Sequence, residues 1–132
     1  MQLSVAAANA RLDQIEAVIN GPTIQLYTGA PPANCAAAAT GDLITEIPAV
    51  PNWLKDAAGG VKEMRDDIYV SNYSMEPGVI GHFRVLGLDG LCHMQGTCSL
   101  PGGGGDMILS NTNVMPDQEL RVLSVTINDN TL

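Results

Sequence analysis

The sequence predicts a mainly β fold, an antiparallel β-sandwich or barrel preceded by one N-terminal α-helix. Three observations carry that prediction. Apolar residues recur at helical spacing only before Pro22. Beyond Pro22 the apolar period shortens to two, the repeat of a strand with one buried face. The strand-like runs then follow at short intervals, separated by Gly, Pro, Asn and Asp, which is the spacing of an all-β domain. The 132 residues, 45% hydrophobic and 15% charged, suit a single domain with a helix at about 4–19 and a sandwich over 23–132. One Phe, one Trp and three Tyr leave the core to aliphatic and small side chains. Such a core buries less area per residue, and association with other chains is expected to bury more.

In the helix, Val5, Ala8, Leu12, Ile15 and Ile19 are spaced by 3, 4, 3 and 4 and form one apolar stripe. Ser4 is placed to cap its start, and Asn20-Gly21-Pro22 to end it. Thr23 to Gly29 and Asp42 to Val50 read as strands joined by the loop APPANCAAAAT. Trp53 to Met64 starts like a short helical turn that Gly59-Gly60 breaks. Asp67 to Ser74, GHFRVLGL, LCHMQGTCSL, Met107 to Asn111 and Leu120 to Asn128 complete the strand candidates.

Asp89-Gly90 separates two of these runs and is a strong hairpin turn, because type I′ geometry needs positive φ at both positions. That turn sets a register. Val85 faces Met94, Phe83 faces Gly96 and Gly81 faces Cys98 on one side; Leu86 faces His93, Arg84 faces Gln95 and His82 faces Thr97 on the other. Phe83, Val85 and Met94 are therefore expected inside, with Arg84 and Gln95 more exposed. Cys92 and Cys98 are expected to point inward, and His82 and His93 outward.

The stretch CHMQGTCSLPGGGGDM raises two chemical readings, and the register weighs against both. Zinc needs converging ligands, yet Cys92 and Cys98 lie about 20 Å apart along one strand at roughly 3.3 Å per residue. His82 and His93 are separated by roughly 13 Å on the same reckoning. A phosphate cradle needs a lysine and a helix start after its glycines, whereas here Asp106 and a strand follow, so the glycines read as a mobile loop. A calcium site built from Asp106 and Asp129 is short of carboxylates. Asp66-Asp67 reads as a solvated strand entrance, and no GxSxG or HExxH occurs. No catalytic residue, metal ligand or cofactor site is expected. Cys35, in a loop without a nearby basic residue, reads first as an unreactive loop thiol, with an intermolecular contact or disulfide as the alternative.

A net charge of −8 with only six Lys and Arg argues against binding nucleic acid or an anionic membrane surface. No apolar run reaches the roughly 20 residues that span a bilayer. The N-terminal segment MQLSVAAANARLDQ lacks the basic start of a signal peptide, so synthesis in a cytoplasm is expected.

The runs TIQLYTGAPPANCAAAATGDLI, GHFRVLGLDGLCHMQGTC and GGGGDMILSNTNV, together with ARLDQIE in the helix, resemble a family of small proteins encoded among the virion-structure genes of tailed bacteriophages. The resemblance spans nearly the whole chain and brings no catalytic residue with it. Cys98 has no place in its pattern. It implies a virion structural protein, and the size and β content are similar to those of capsid decoration (cement) proteins. Such proteins bind the major capsid protein lattice, often as homotrimers, at the capsid surface. The alternative within virions is a neck, tail or fibre-associated component. From another class, a carbohydrate- or cell-surface-binding sandwich would have Tyr27, Trp53, Tyr69 and Tyr73 for stacking on sugars.

Overall fold

A computed structural model describes residues 1–132. Two helices come first, α1 at Val5–Asp13 and α2 at Glu16–Ile19. Nine strands follow: β1 Thr23–Thr28, β2 Leu43–Pro48, β3 Val61–Glu63, β4 Val70–Tyr73, β5 Gly78–Leu86, β6 Cys92–Ser99, β7 Met107–Leu109, β8 Asn113–Val114 and β9 Glu119–Asn128. They form one curled, mostly antiparallel sheet, a half-barrel, in the order β2-β1-β5-β6-β7-β9-β3. β4 also pairs with β9, and β8 with β5. The mainly β fold with an N-terminal helical segment is as expected.

The helical segment starts where the sequence places it, with the Ser4 hydroxyl accepting the Ala7 N–H at 3.1 Å. Ala8, Leu12 and Ile19 are buried, as the stripe requires, but Val5 is exposed. The single expected helix is two. Around Asp13–Ile15 the backbone tightens, Ile15 N–H donating to Leu12 and Ala17 N–H to Gln14, three residues back. At this point the side chain of Asp13, the last residue of α1, accepts from the Ala57 N–H at 2.8 Å and the Lys62 ammonium at 2.7 Å.

Ile24 and Leu26 of β1, Ile44 and Ile47 of β2, and Phe83 and Val85 of β5 fill the concave side of the sheet with Leu120, Val122 and Val125 of β9. Trp53 is fully buried among them, its indole N–H donating to the Ile19 carbonyl at 3.2 Å, which ties α2 to the core. The helical turn expected from Trp53 is absent. Leu54 instead bridges to Met64, and Gly59 and Gly60, at φ 61° and 78°, turn the chain back so that Ala58 meets Val61. Pairing with β9 through Val61–Glu63 decides this segment, overriding its local helical preference.

The tetraglycine run lies in the expected inter-strand loop, between β6 and β7. It is the tight return that brings β7 alongside β6 in parallel, Cys98 facing Met107. Consecutive parallel strands ordinarily need a long crossover. Here the chain returns within the loop because the glycines allow close approach: a Cβ on Gly105 would lie 2.7 Å from the Ser99 nitrogen, and one on Gly103 2.7 Å from the Ser99 Cβ. Gly105 N–H donates to the Ser99 hydroxyl at 2.9 Å, and Asp106 accepts from the Thr97 N–H at 3.1 Å, closing the turn. Space accounts for Gly103 and Gly105, and positive φ, 83° and 80°, for Gly102 and Gly104.

Candidate functional site

The β5–β6 hairpin adopts the expected register at His82–Thr97, Phe83–Gly96, Arg84–Gln95 and Val85–Met94. Val85 and Phe83 are buried and Met94 is half-buried against the core. Next to the turn the register slips. Leu86 faces Cys92, so that Cys92 and His93 together oppose one residue, a β-bulge. The expectation that Cys92 points inward is therefore wrong. Its side chain lines the outer groove with His93, while Cys98 packs against the core.

The outer face of the hairpin is not solvent-facing either. Arg84 and His82, both expected to be exposed, are only 5% and 0% accessible. The 30–42 loop folds over Arg84. Arg84 donates through Nη2 to the carbonyls of Cys35 and Ala37, both at 3.0 Å, and through Nη1 to Gln95 Oε1 at 3.0 Å. Gln95 in turn donates to the Pro32 carbonyl at 2.8 Å. Within the loop, the Asn34 side chain accepts the Ala37 N–H at 2.9 Å, the local turn that Asn favours. The Arg84 charge thus has no carboxylate partner. It is satisfied by neutral oxygens, each charge-assisted bond stronger than an ordinary one.

His82 is buried in a different way. Its Nδ1 lies 2.8 Å from the Gly29 carbonyl and its ring stacks on Tyr27 at 5.3 Å between centroids, 9° from parallel. Its Nε2 has no partner. Gly81, beside it, is required for this closeness, since a Cβ there would sit 2.3 Å from the Gly29 oxygen.

Between loop and hairpin lies a cavity of about 660 Å³, walled by Ala36, Ala37, Ala39, Leu86 and Leu91. Arg84, Gln25 and His93 supply its polar rim, and the thiols of Cys35 and Cys92 both face it. The Cys92 thiol donates to the Met94 carbonyl at 3.4 Å. Burial first, and the contact with Cys92 second, push the Cys35 thiol above the ordinary cysteine range, against a smaller opposing pull from Arg84. Cys98, enclosed by the core, is pushed up to about 12, chiefly by burial. Cys35 is thus half-buried and held by its backbone, not the freely exposed loop thiol expected.

At the hairpin tip, His93 Nε2 lies 2.9 Å from Asp89, whose carboxyl is held low mainly by the Leu91 N–H and then by His93. Leu88 and Leu91, on either side of Asp89-Gly90, are 86% and 63% exposed. Leu88 shares a second, smaller cavity of about 320 Å³ with Val18 of α2.

The remaining candidate groups are dispersed. Asp66 pairs with Lys55 at 2.9 Å and Asp67 with Arg65 at 2.7 Å, so the two adjacent carboxylates serve separate cations. Asp106 is engaged by Thr97, and Asp129 by Arg11 at 2.6 Å and by Thr131. No three His, Cys, Asp or Glu side chains converge on one point. The structure brings Cys35, Cys92 and His93 to one groove and leaves His82 and Cys98 outside it. Arg84, the residue that organises the groove, was missed because its strand position reads as solvent-facing.

Set beside known proteins, the chain matches no family model, no curated protein and no solved structure.

Proposed function

We propose that this chain is a structural protein of a tailed-phage virion, a capsid decoration protein that docks on the major capsid protein lattice and binds neighbouring subunits together. The observation that carries the reading is the hairpin tip. Two leucines stand out on either side of Asp89-Gly90, and Val18 lies beside Leu88. Burying a leucine from water stabilises a contact by roughly 1.5–3 kcal/mol, so the pair is a sizeable docking knob.

The knob is held in shape before any partner arrives. Leu91 N–H donates to Asp89 Oδ1 at 3.0 Å, Gly90 N–H to the Gly87 carbonyl at 3.0 Å, and His93 braces Asp89. Such preorganisation lowers the ordering cost of binding. The Ala-rich loop carrying Cys35 borders the same surface and extends the contact. In this reading the protein is a homotrimer at lattice junctions on the capsid surface, and its role is mechanical, not catalytic. The sequence resemblance to phage virion proteins supports the choice of partner.

Mass spectrometry and image reconstruction of purified virions test the assignment. The protein is expected in stoichiometric amounts on the capsid shell, with the Leu88–Leu91 tip against the major capsid protein. Its absence from purified particles, with a monomer in solution, overturns the reading; density at the neck, tail or fibres moves it to the alternative position.

One observation favours a second reading, a sugar- or cell-surface-binding module. Tyr69 and Tyr73 are 60% and 59% exposed on one surface, and Arg121 lies 4.3 Å from the Tyr69 ring centre. Trp53 and Tyr27 are buried and unavailable for that role. A glycan-array screen decides between the two, since a docking protein is expected to give no binding that Tyr69→Ala abolishes.

A further inference from the structure

We infer that Cys35 and Cys92 form a redox-active dithiol site, which closes to an intramolecular disulfide by exchange with a small-molecule disulfide and fastens the 30–42 loop to β6. Both cysteines are unbonded and line one open groove, and Cys92 is among the neighbours that raise the Cys35 thiol. Their approach does not depend on the bond. Arg84 holds the Cys35 carbonyl at 3.0 Å and Gln95 holds Pro32 at 2.8 Å, so the loop is already laid against the hairpin. The bulge at Leu86 supplies the other half, by turning Cys92 out of the core and toward the loop.

The third cysteine sharpens the assignment. Cys98 packs against the core, away from the groove, where burial disfavours its thiolate. It is expected to stay reduced. A metal is the other use of two thiols, but no third ligand converges on them.

The exchange balances as follows. One cysteine loses its proton, and its sulfur attacks the small disulfide RSSR, forming a mixed disulfide and releasing one thiolate RS⁻. The second cysteine loses its proton and attacks the protein sulfur of that mixed disulfide, releasing the second RS⁻. The two protons and two thiolates leave as two RSH, so the protein sulfurs are oxidised and RSSR is reduced. Burial of the Cys35 thiol makes the first step slow, and the neighbouring Arg84 charge partly offsets that.

The test uses the isolated full-length chain, so its outcome stands apart from whether the protein docks on a capsid. The protein is incubated with oxidised glutathione, denatured without reductant and alkylated. The expected product is a monomer lighter by two hydrogens before alkylation, with one alkylated cysteine, Cys98, and a mapped Cys35–Cys92 link. Closing a loop this long is expected to raise Tm by roughly 10 °C, reversibly with reductant. Cys98→Ser should keep that rise and Cys92→Ser should lose it. Three alkylated cysteines, glutathione adducts without a link, or Cys35-linked dimers overturn the inference. The mass measurement on the unsubstituted chain reads all of these without relying on any variant to fold.

Discussion

Two segments that are not part of the main sheet, the N-terminal helices and the 30–42 loop, are each anchored by a buried cation, but the anchors differ in kind. Lys62 of β3, fully buried, lies 2.7 Å from Asp13 and 3.0 Å from Glu16 and also donates to the Lys55 carbonyl at 2.8 Å. Arg11 adds a second ion pair, to Asp129. Arg84 binds the loop with no carboxylate at all, only backbone carbonyls and the Gln95 amide. The helix anchor therefore sets a cation against carboxylates, while the loop anchor sets one against neutral oxygens alone. The same cationic solution gives one region acidic partners and leaves the other without them.

The largest expected effect comes from removing the helix anchor. Lys62→Ala leaves Asp13 and Glu16 facing one another without a cation and opens a hole under the helices. Unfolding in urea should show a loss of about 3 kcal/mol, less than for a pair buried on both sides because both carboxylates keep some access to water. A loss below about 1 kcal/mol would mean that water replaces the ammonium and that the anchor is weak.

Arg84→Ala should cost somewhat less, about 2 kcal/mol, because the carbonyls of Cys35 and Ala37 lose their donor but can rotate toward solvent as the loop lifts. Its signature is local. Protease cleavage and hydrogen exchange should rise in 30–42 while the N-terminal helices keep their protection.

Acid should separate the two regions in the intact protein. Asp13 is held below its ordinary 3.8, first by Lys62 and then by the Ala57 N–H; Asp129 is held low first by Thr131. Carboxyls lowered on folding contribute stability that is fully present above the unfolded value and lost as the pH falls through the folded one. Lys62 has the opposite sign. Burial pulls its ammonium down, but Asp13 and Glu16 together hold it above 10.5, so its contribution fades as the pH rises past that value. Exchange measured from pH 6 down to below 3.8 should therefore show α1 loosening before the loop over Arg84. Simultaneous loosening of both would remove the distinction.

The smallest effect on stability is expected at the hairpin tip. Leu88→Asp and Leu91→Asp replace exposed side chains and should stay within about 0.5 kcal/mol of the parent. Binding to capsids lacking the protein should nevertheless be lost. If both variants bind normally, the tip is not the docking surface.

The central hairpin register was legible because it depends on neighbours in sequence, although the turn is not the expected type I′: Gly90 has positive φ but Asp89 does not, and the Gly90 N–H donates to the Gly87 carbonyl. The Ser4 cap and the stripe of Ala8, Leu12 and Ile19 were readable for the same reason, since their bonds span three or four residues. Arg84 and His82 were misread at the level of the face. Alternation correctly put them opposite Phe83 and Val85, but whether the opposite face meets water depends on a loop some fifty positions earlier, and no local pattern encodes where that loop comes to rest. The bulge that turns Cys92 outward is likewise a compromise between turn and strand that alternation cannot anticipate.

Local chemistry thus wrote the elements, their caps and the pairing across a tight turn, because those energies are settled between residues close in the chain. Contacts between distant segments settled the rest. Pairing with β9 made an extended segment of Trp53–Met64, close packing on Ser99 explains Gly103 and Gly105, and the loop over Arg84 created the groove that Cys35 and Cys92 line. Burial and hydrogen-bond satisfaction belong to the whole molecule, and they override local preference wherever a distant segment supplies the missing partner.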